Sequence, residues 1–470
     1  MRQVALLACI FMFLTTASSS ATFRVPMDAP TIGEGLSLAA RGDTVLVACG
    51  TYLEHDISMV SGVVLRSESG EAGCVTIDCQ NTGTGIQCTE LDSTTCIEGF
   101  TITQAFHSGM TLTSSDPQIT DCAFLSNEAN FGGGINGMES NPLIERCLFQ
   151  ANSAYGDGAI SLFRSSPEII DCTFLGNTAY VDGPGAIWCR FSSPSLLRCQ
   201  FIGNVSQSFA GAIYARDASS LTIVECTFAA NGVPGGVAAI SLPGWSESVQ
   251  VITGCTFHGN TGGPAIWVGT ASLTLSNSII AGNDGEALAI QDSVPAITCT
   301  DIYGNGGGDW TAPIAHLLGQ EGNISLDPQF CDAPAQDLTL RASSPCAPGS
   351  TPGCGLIGAC PVGCDSPTSA EQVHELPGGV TLAPCHPNPF NPSTTIRYGL
   401  PNPGAVNLEV FDVAGRLVRR LKAGAVEPAG LHKVTWQGKD DRGRELGSGV
   451  YLYRLTVGKV VRTRAMTLVR

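Results

Sequence analysis

Lysine is missing from the first 421 residues; Lys422, Lys433, Lys439 and Lys459 are the four the chain carries. Lysine-dependent lyase chemistry is thereby excluded from most of the molecule, with arginine left as a base. Histidine is scarce too. His55, His107, His258, His316, His374, His386 and His432 are scattered, and none falls in a metal-ligand spacing. His258, in "CTFHGN", reads as a solvated turn residue. Aromatic residues make up only 7% of the chain while glycine numbers 56, which fits a turn-rich β protein better than a helical one. Past residue 21 no apolar run is long enough to span a membrane.

The beginning differs. Met1-Arg2, the apolar stretch Val4 to Leu14 and "TTASSSA" read as a secretory signal over residues 1–21. Charge is also divided. From residue 380 onward there are 14 Lys+Arg and 6 Asp+Glu, or +8, so the total of −17 leaves −25 for the rest. An acidic body is joined to a basic tail through 365–379, which reads as a linker.

What the chain has in excess is cysteine, 20 in all. Six of them recur in register at Cys122, Cys147, Cys172, Cys199, Cys226 and Cys255. Phe124, Phe149, Phe174, Phe201, Phe228 and Phe257 follow two residues later. Asn127, Asn152, Asn177, Asn204, Asn231 and Asn260 follow five later. Two further copies put Ser278 and Thr300 in the cysteine column and keep Asn283 and Asn305; "CIEGFTI" (96–102) is an imperfect earlier copy. A second strand is marked by a small residue before Ile135, Ile160, Ile187, Ile213, Ile240, Ile266 and Ile290. A period of 20–30 residues means a solenoid in which each coil buries its apolar face against the next. The aliphatic column from Ile119 to Ile252 lies three residues before the cysteines, so a bend must separate the two. Asn suits such a bend through its tolerance of the left-handed conformation, and stacked Asn amides can also bond to one another. Before the cysteine stand Asp121, Arg146, Asp171, Arg198 and Glu225, whose alternating signs favour stacking. A straight column of thiols cannot gather four ligands around one zinc ion. The column is therefore packing, and the late group Cys331, Cys346, Cys354, Cys360 and Cys364 is the expected disulfide region.

These "C-x-F-x-x-N" and "GGAI" repeats resemble the right-handed parallel β-helix of the pectin-lyase-like superfamily. "DAPTIGEGLSLAARGDTVLVACGTYLEHDISM" (28–59) resembles its N-terminal cap, and 325–360 its closing coil. In the tail, "PNPFNP" (387–392), "DVAGR" (412–416), "WQGKD" (436–440) and "SGVYLYRL" (448–455) resemble the Ig-like domain of flagellar hook-capping proteins and the C-terminal sorting domains of the type-nine secretion route. The fold class is then all-β. A cap and first coils occupy 22–95, β-helix repeats 96–310, a cysteine-rich closing coil 311–364, and an antiparallel sandwich 380–470. The second resemblance implies a secretion or sorting machinery as partner.

Enzymes of the first family carry recognisable motifs. "GHG", "RIK", "DFIFG" and "WIDH" are all absent, and the adjacent pair Asp440-Asp441 lies in the tail. No catalytic residue is assigned, and the reading leans away from an enzyme. The alternatives are a polysaccharide lyase or hydrolase on acidic polysaccharide, and a structural surface module. The residue after each Ile should point outward: Asn136, Ser161, Trp188, Tyr214, Ser241, Trp267 and Gln291. Trp188 with Arg190 and Tyr214 with Arg216 should sit side by side on successive coils about 4.8 Å apart. With Trp267 they form a candidate glycan-binding strip, because aromatic faces stack on sugars and guanidinium groups hold carboxylates. No cofactor or metal site is assigned; the acidic body favours calcium in general terms, without a compact Asp-x-Asp loop to hold it. Nucleic acid is not an expected partner. The expected location is extracellular or on the outer cell surface.

Overall fold

A computed structural model describes residues 20–470, except 245–247, 294, 365–379, 384, 386–387, 389, 391, 414, 429 and 469–470. The expected linker, and the expected signal up to residue 19, lie outside the described residues. From Thr22 to Tyr303 the chain winds into a solenoid with three long parallel sheets. Sheet 1 has 12 strands, from Thr22–Val25 to Ala296–Thr298. Sheet 2 has 11, from Gly50–Tyr52 to Asp301–Tyr303. Sheet 3 has 10, from Ile57–Ser58 to Leu288–Ile290. A minor sheet of four two-residue strands, from Glu128–Ala129 to Val205–Ser206, lies between sheets 2 and 3.

Each coil turns by means of single left-handed residues, and their positions explain the spacing of the repeat. The charged residues before the cysteines, Asp121, Arg146, Asp171, Arg198 and Glu225, have φ of 51–53°. This is the bend that lets Ile169 in sheet 1, Cys172 just before the sheet 2 strand Thr173–Leu175, and Phe174 within it all face one core. A second bend stands before each Asn, at Ser126, Ala151, Gly176, Gly203, Ala230 and Gly259. A third follows sheet 3, at Ser114, Glu139, Arg164, Phe191 and Asp217. The asparagines are therefore not the left-handed residues. Their neighbours turn the chain, and they bond it along the axis.

That bonding is regular. Asn177 Nδ2 donates to Asn204 Oδ1 (2.9 Å) and to the Phe149 carbonyl (2.9 Å). Its own Oδ1 accepts from the Asn152 backbone N–H and Asn152 Nδ2, each at 3.0 Å. The same contacts repeat from Asn127 to Asn305. There Asp309 Oδ1 takes the place of the next rung, accepting from the Asn305 backbone and amide nitrogens at 2.8 Å. After the third bend a serine ladder does the same work. The backbone N–H of Ser115, Ser140, Ser165 and Ser192 each donates to the hydroxyl of the next coil's serine at 3.0–3.1 Å. Buried backbone groups need partners, and these side chains supply them where the sheets are interrupted. The Phe column is a stack of parallel rings 4.7–4.8 Å apart.

The six column cysteines are buried free thiols. Cys172 Sγ approaches the carbonyls of Ile144 (3.5 Å) and Ile170 (3.2 Å). Burial pushes the Cys122, Cys147 and Cys226 thiols well up, leaving them inert. Ser278 replaces cysteine with its hydroxyl accepting from the Cys255 N–H at 3.1 Å. In the earlier copy Phe100 occupies the cysteine place, since Thr101 pairs with Ala123, and Ile102 pairs with Phe124. Three disulfides join Cys49–Cys74, Cys299–Cys354 and Cys331–Cys364. The last two involve the late group as expected, whereas Cys346 and Cys360 are free. Cys49 and Cys74 directly precede Gly50 and Val75, which pair in sheet 2. Register puts this bridge in the bend column. Later coils link that column by ion pairs instead, Arg146–Asp121 and Arg198–Asp171.

One column differs from the sequence reading. Ile266 pairs with Leu288, Trp267 with Ala289 and Val268 with Ile290. Ile290 thus continues the Val268 column, and Ala289, not Gln291, follows Trp267. The coil there is shorter, and counting from the small-residue-plus-Ile mark overshoots by two.

The helix Ile32–Leu38, capped by the Thr31 hydroxyl accepting from the Glu34 N–H at 3.1 Å, buries Ile32 and Leu36 over the first coil. The tail is two antiparallel sheets. One holds Thr381–Leu382, Thr394–Leu400 and Gly430–Trp436; the other holds Leu417–Glu427, Gly404–Asp412, Gly449–Val457 and Val460–Leu468. Ile396, Tyr398 and Leu400 face Val406, Leu408 and Val410 in its core, as their alternation requires.

Candidate functional site

Sheet 3 sets the candidate strip. Ile187, Cys189, Ile213 and Ala215 are fully buried, so the residues between them must face outward. Trp188 pairs with Tyr214 and Arg190 with Arg216, as the repeat predicts. Trp267 is two rungs above Tyr214, with Ser241 between them. The members are not equally accessible. Trp188 and Trp267 are half-buried. Tyr214 is only 9% exposed, because Phe209 from the preceding corner stacks on its ring at 4.6 Å. Ser161 and Ser241 are likewise covered.

The two arginines have an acidic partner that pattern reading missed. Asp217, at the third bend, accepts from Arg190 Nε at 2.7 Å and from Arg216 Nε at 3.0 Å through one oxygen. Both guanidinium groups keep about two-fifths of their side-chain surface exposed, 41% and 42%. Arg190 also lies over the rings of Phe163 (5.8 Å) and Phe191 (5.5 Å). The cluster carries one net positive charge on a rigid base.

A second aromatic row lies on the corner that leads into sheet 3. Phe131, Tyr155 and Tyr180 are 52%, 58% and 53% exposed. The Tyr155 and Tyr180 N–H groups donate to the Ala129 and Ala154 carbonyls, which places the tyrosines on adjacent rungs. Phe131 lies over Gly156, where a Cβ would come within 2.7 Å of its ring. Their sequence signal is an aromatic three or four residues after the ladder Asn in consecutive repeats.

Beneath this corner is Asp157, 3% exposed, with Oδ2 unpartnered among the described residues. Burial raises its carboxyl to about 7, with Asp182 adding repulsion and Ser161 opposing. Gly183 lies against Asp157 Oδ1 where any side chain would collide. Among the described residues no three His, Cys, Asp or Glu side chains converge to hold a metal ion.

Comparison with known families decides the fold. Residues 84–250 and 185–312 match the family described as right handed beta helix region. The body of this chain is a right-handed β-helix. Residues 392–459 match the FlgD Ig-like domain, so the β-helix is followed by an Ig-like domain. No curated protein matches the chain. Among solved structures, dimeric latent PorU from Porphyromonas gingivalis is similar at 27% identity over 19% of this chain and 9% of its own, with a TM-score of 0.17. β-Helix and Ig-like domains are typical of extracellular proteins. No helix among the described residues is long and apolar enough to cross a membrane.

Proposed function

We propose that the β-helix is a secreted or surface-held glycan-binding module, and that the Ig-like domain directs its export or attachment. The observation that carries this reading is the exposed row Phe131, Tyr155 and Tyr180, leading toward Trp188 on the same flank. Successive rungs are about 4.8 Å apart, so a chain lying along the axis meets several rings in succession. Aromatic faces bury the C–H surface of a sugar, and rings already held by the scaffold lose little entropy on binding. Arg190 and Arg216 favour uronate-bearing chains. Isothermal titration with neutral and uronate oligosaccharides tests this against a Tyr155→Ala/Trp188→Ala variant. We expect at least tenfold weaker binding; unchanged binding refutes the strip and leaves a structural module.

A catalytic reading has one observation in its favour. Burial raises the Asp157 carboxyl to about 7 beside the strip, the range that suits a general acid for glycoside or elimination chemistry. Release of reducing or unsaturated ends from acidic polysaccharides, abolished by Asp157→Asn, would establish it. For the tail, the basic charge and the sorting-domain resemblance support a role in export. Deleting residues 380–470 should then leave the protein inside the cell, and normal export without them refutes that role.

A further inference from the structure

At the far end of the β-helix a different cleft forms, independent of the strip above. His258, Ala281 and Tyr303 occupy one outward column of sheet 2, since Phe257 pairs with Ile280 and Ile280 with Ile302 in the core. His258 and Tyr303 are thus two rungs, or about 9.6 Å, apart, with only a methyl group between them. The closing segment crosses over this gap. The Phe330 ring meets the His258 ring edge-on at 5.3 Å, and Cys331 is tied to Cys364 by a disulfide. The open cleft so formed has a volume of about 640 Å³, lined also by Asp327, Asp332 and Arg341. That is within the usual ~300–1,000 Å³ of small-molecule sites.

The histidine is set for recognition. Its Nδ1 is 2.8 Å from the Ala281 carbonyl. A carbonyl only accepts, so Nδ1 carries the proton and donates it. Burial lowers the pKa and keeps the ring neutral, which makes Nε2 a lone-pair acceptor with no hydrogen bond among the described residues. Gly282 lies under the ring, and a Cβ there would come within 3.0 Å of Cε1. The rim therefore combines an imidazole acceptor, a phenol, two carboxylates and one guanidinium around the Phe330 ring. Such a set matches hydroxyl groups arrayed about a ring with apolar C–H faces. Two carboxylates against one arginine disfavour an anionic ligand.

We propose that this cleft binds one neutral sugar ring, with His258 Nε2 accepting from a hydroxyl and Phe330 and Tyr303 covering its C–H surface. His258 lies four rungs further along the body than the coil of Tyr155, and the site has the opposite charge preference. The test is titration of the full chain with glucose, galactose, mannose and N-acetylglucosamine, and with glucuronate and galacturonate. Histidine ring NMR on the unmodified protein provides a readout that needs no variant. We expect at least one neutral sugar to shift the His258 Cε1–H resonance and to bind about tenfold more weakly to His258→Phe, the loss of one hydrogen bond of ~1.4 kcal/mol. Tyr155→Ala/Trp188→Ala should bind it as the parent does, which separates failure of the strip from failure of the cleft. The proposal is overturned if no neutral sugar moves the resonance, if His258→Phe binds as well as the parent, or if the uronates bind more tightly.

Discussion

The asparagine ladder can be tested by replacing Asn177 with Leu. The two side chains are similar in shape, so packing is nearly kept while hydrogen bonding is lost. Asn177 is fully buried, out of reach of bulk solvent. The substitution strands two donors, the Asn152 backbone N–H and one Nδ2 hydrogen of Asn152, and takes from the Phe149 carbonyl the side-chain bond it accepts beside its sheet bond. A buried polar group left unpaired costs about 1–3 kcal/mol. Taking 1–2 for each, Asn177→Leu should lose about 2–4 kcal/mol, a large part of a normal folding free energy. Urea unfolding followed by circular dichroism gives the total. Hydrogen exchange gives the location, because a solenoid couples mainly nearest neighbours. Protection should fall first in the coils holding Phe149 to Asn204, while the Ig-like domain stays unchanged. A loss below about 1 kcal/mol with an unchanged denaturant slope would refute the ladder as a source of stability.

Asp157 makes stability depend on pH. Its folded pKa is raised to about 7 from 3.8, so its stabilising contribution is complete below pH 4 and is lost as pH rises through 7. Asp157→Asn should melt close to the parent at pH 4 and be more stable by about 2–4 kcal/mol at pH 8; a constant difference across the range would argue against a buried acid. Phe174 stacks between Phe149 and Phe201 at 4.8 and 4.7 Å, and Phe174→Ala should cost about 3–5 kcal/mol in the same urea assay. The column thiols should resist a thiol reagent in the native state and react once the chain is unfolded. Rapid native labelling of Cys172, measured by peptide mass, would contradict their burial.

The core was legible because one coil's neighbours are its own repeats. Cys172, Phe174 and Asn177 each stack on their counterparts, so fixed spacing in sequence becomes a column in space. The bend between Ile169 and Cys172 followed from broken parity alone. Assigning the left-handed turn to Asn failed, because the coil holds Ser126, Ala151 and Ala230 in that conformation despite their ordinary preference against it, and tertiary hydrogen bonding keeps the Asn out of it. The serine ladder was missed for a related reason, since serine is common in turns. At the surface, pattern sufficed to place Trp188 beside Tyr214. It could not foresee that Phe209 would cover Tyr214, or that Asp217 would bind both arginines, because both depend on how a non-repeating corner folds back. His258 read as a turn residue because the segment that encloses it, around Phe330, is some seventy residues further on and outside the repeat.

The way the asparagine ladder stops has a consequence for assembly. Each rung is a template for another, and a second molecule could in principle supply the next coil and extend the rod without limit. Asp309, from the same chain, already occupies that place at the Asn305 end, accepting both the backbone and the amide nitrogen. A carboxylate only accepts hydrogen bonds and so cannot pass the pattern on. The solenoid is thereby given a defined length, and the sheets that make it rigid are kept from becoming a fibre.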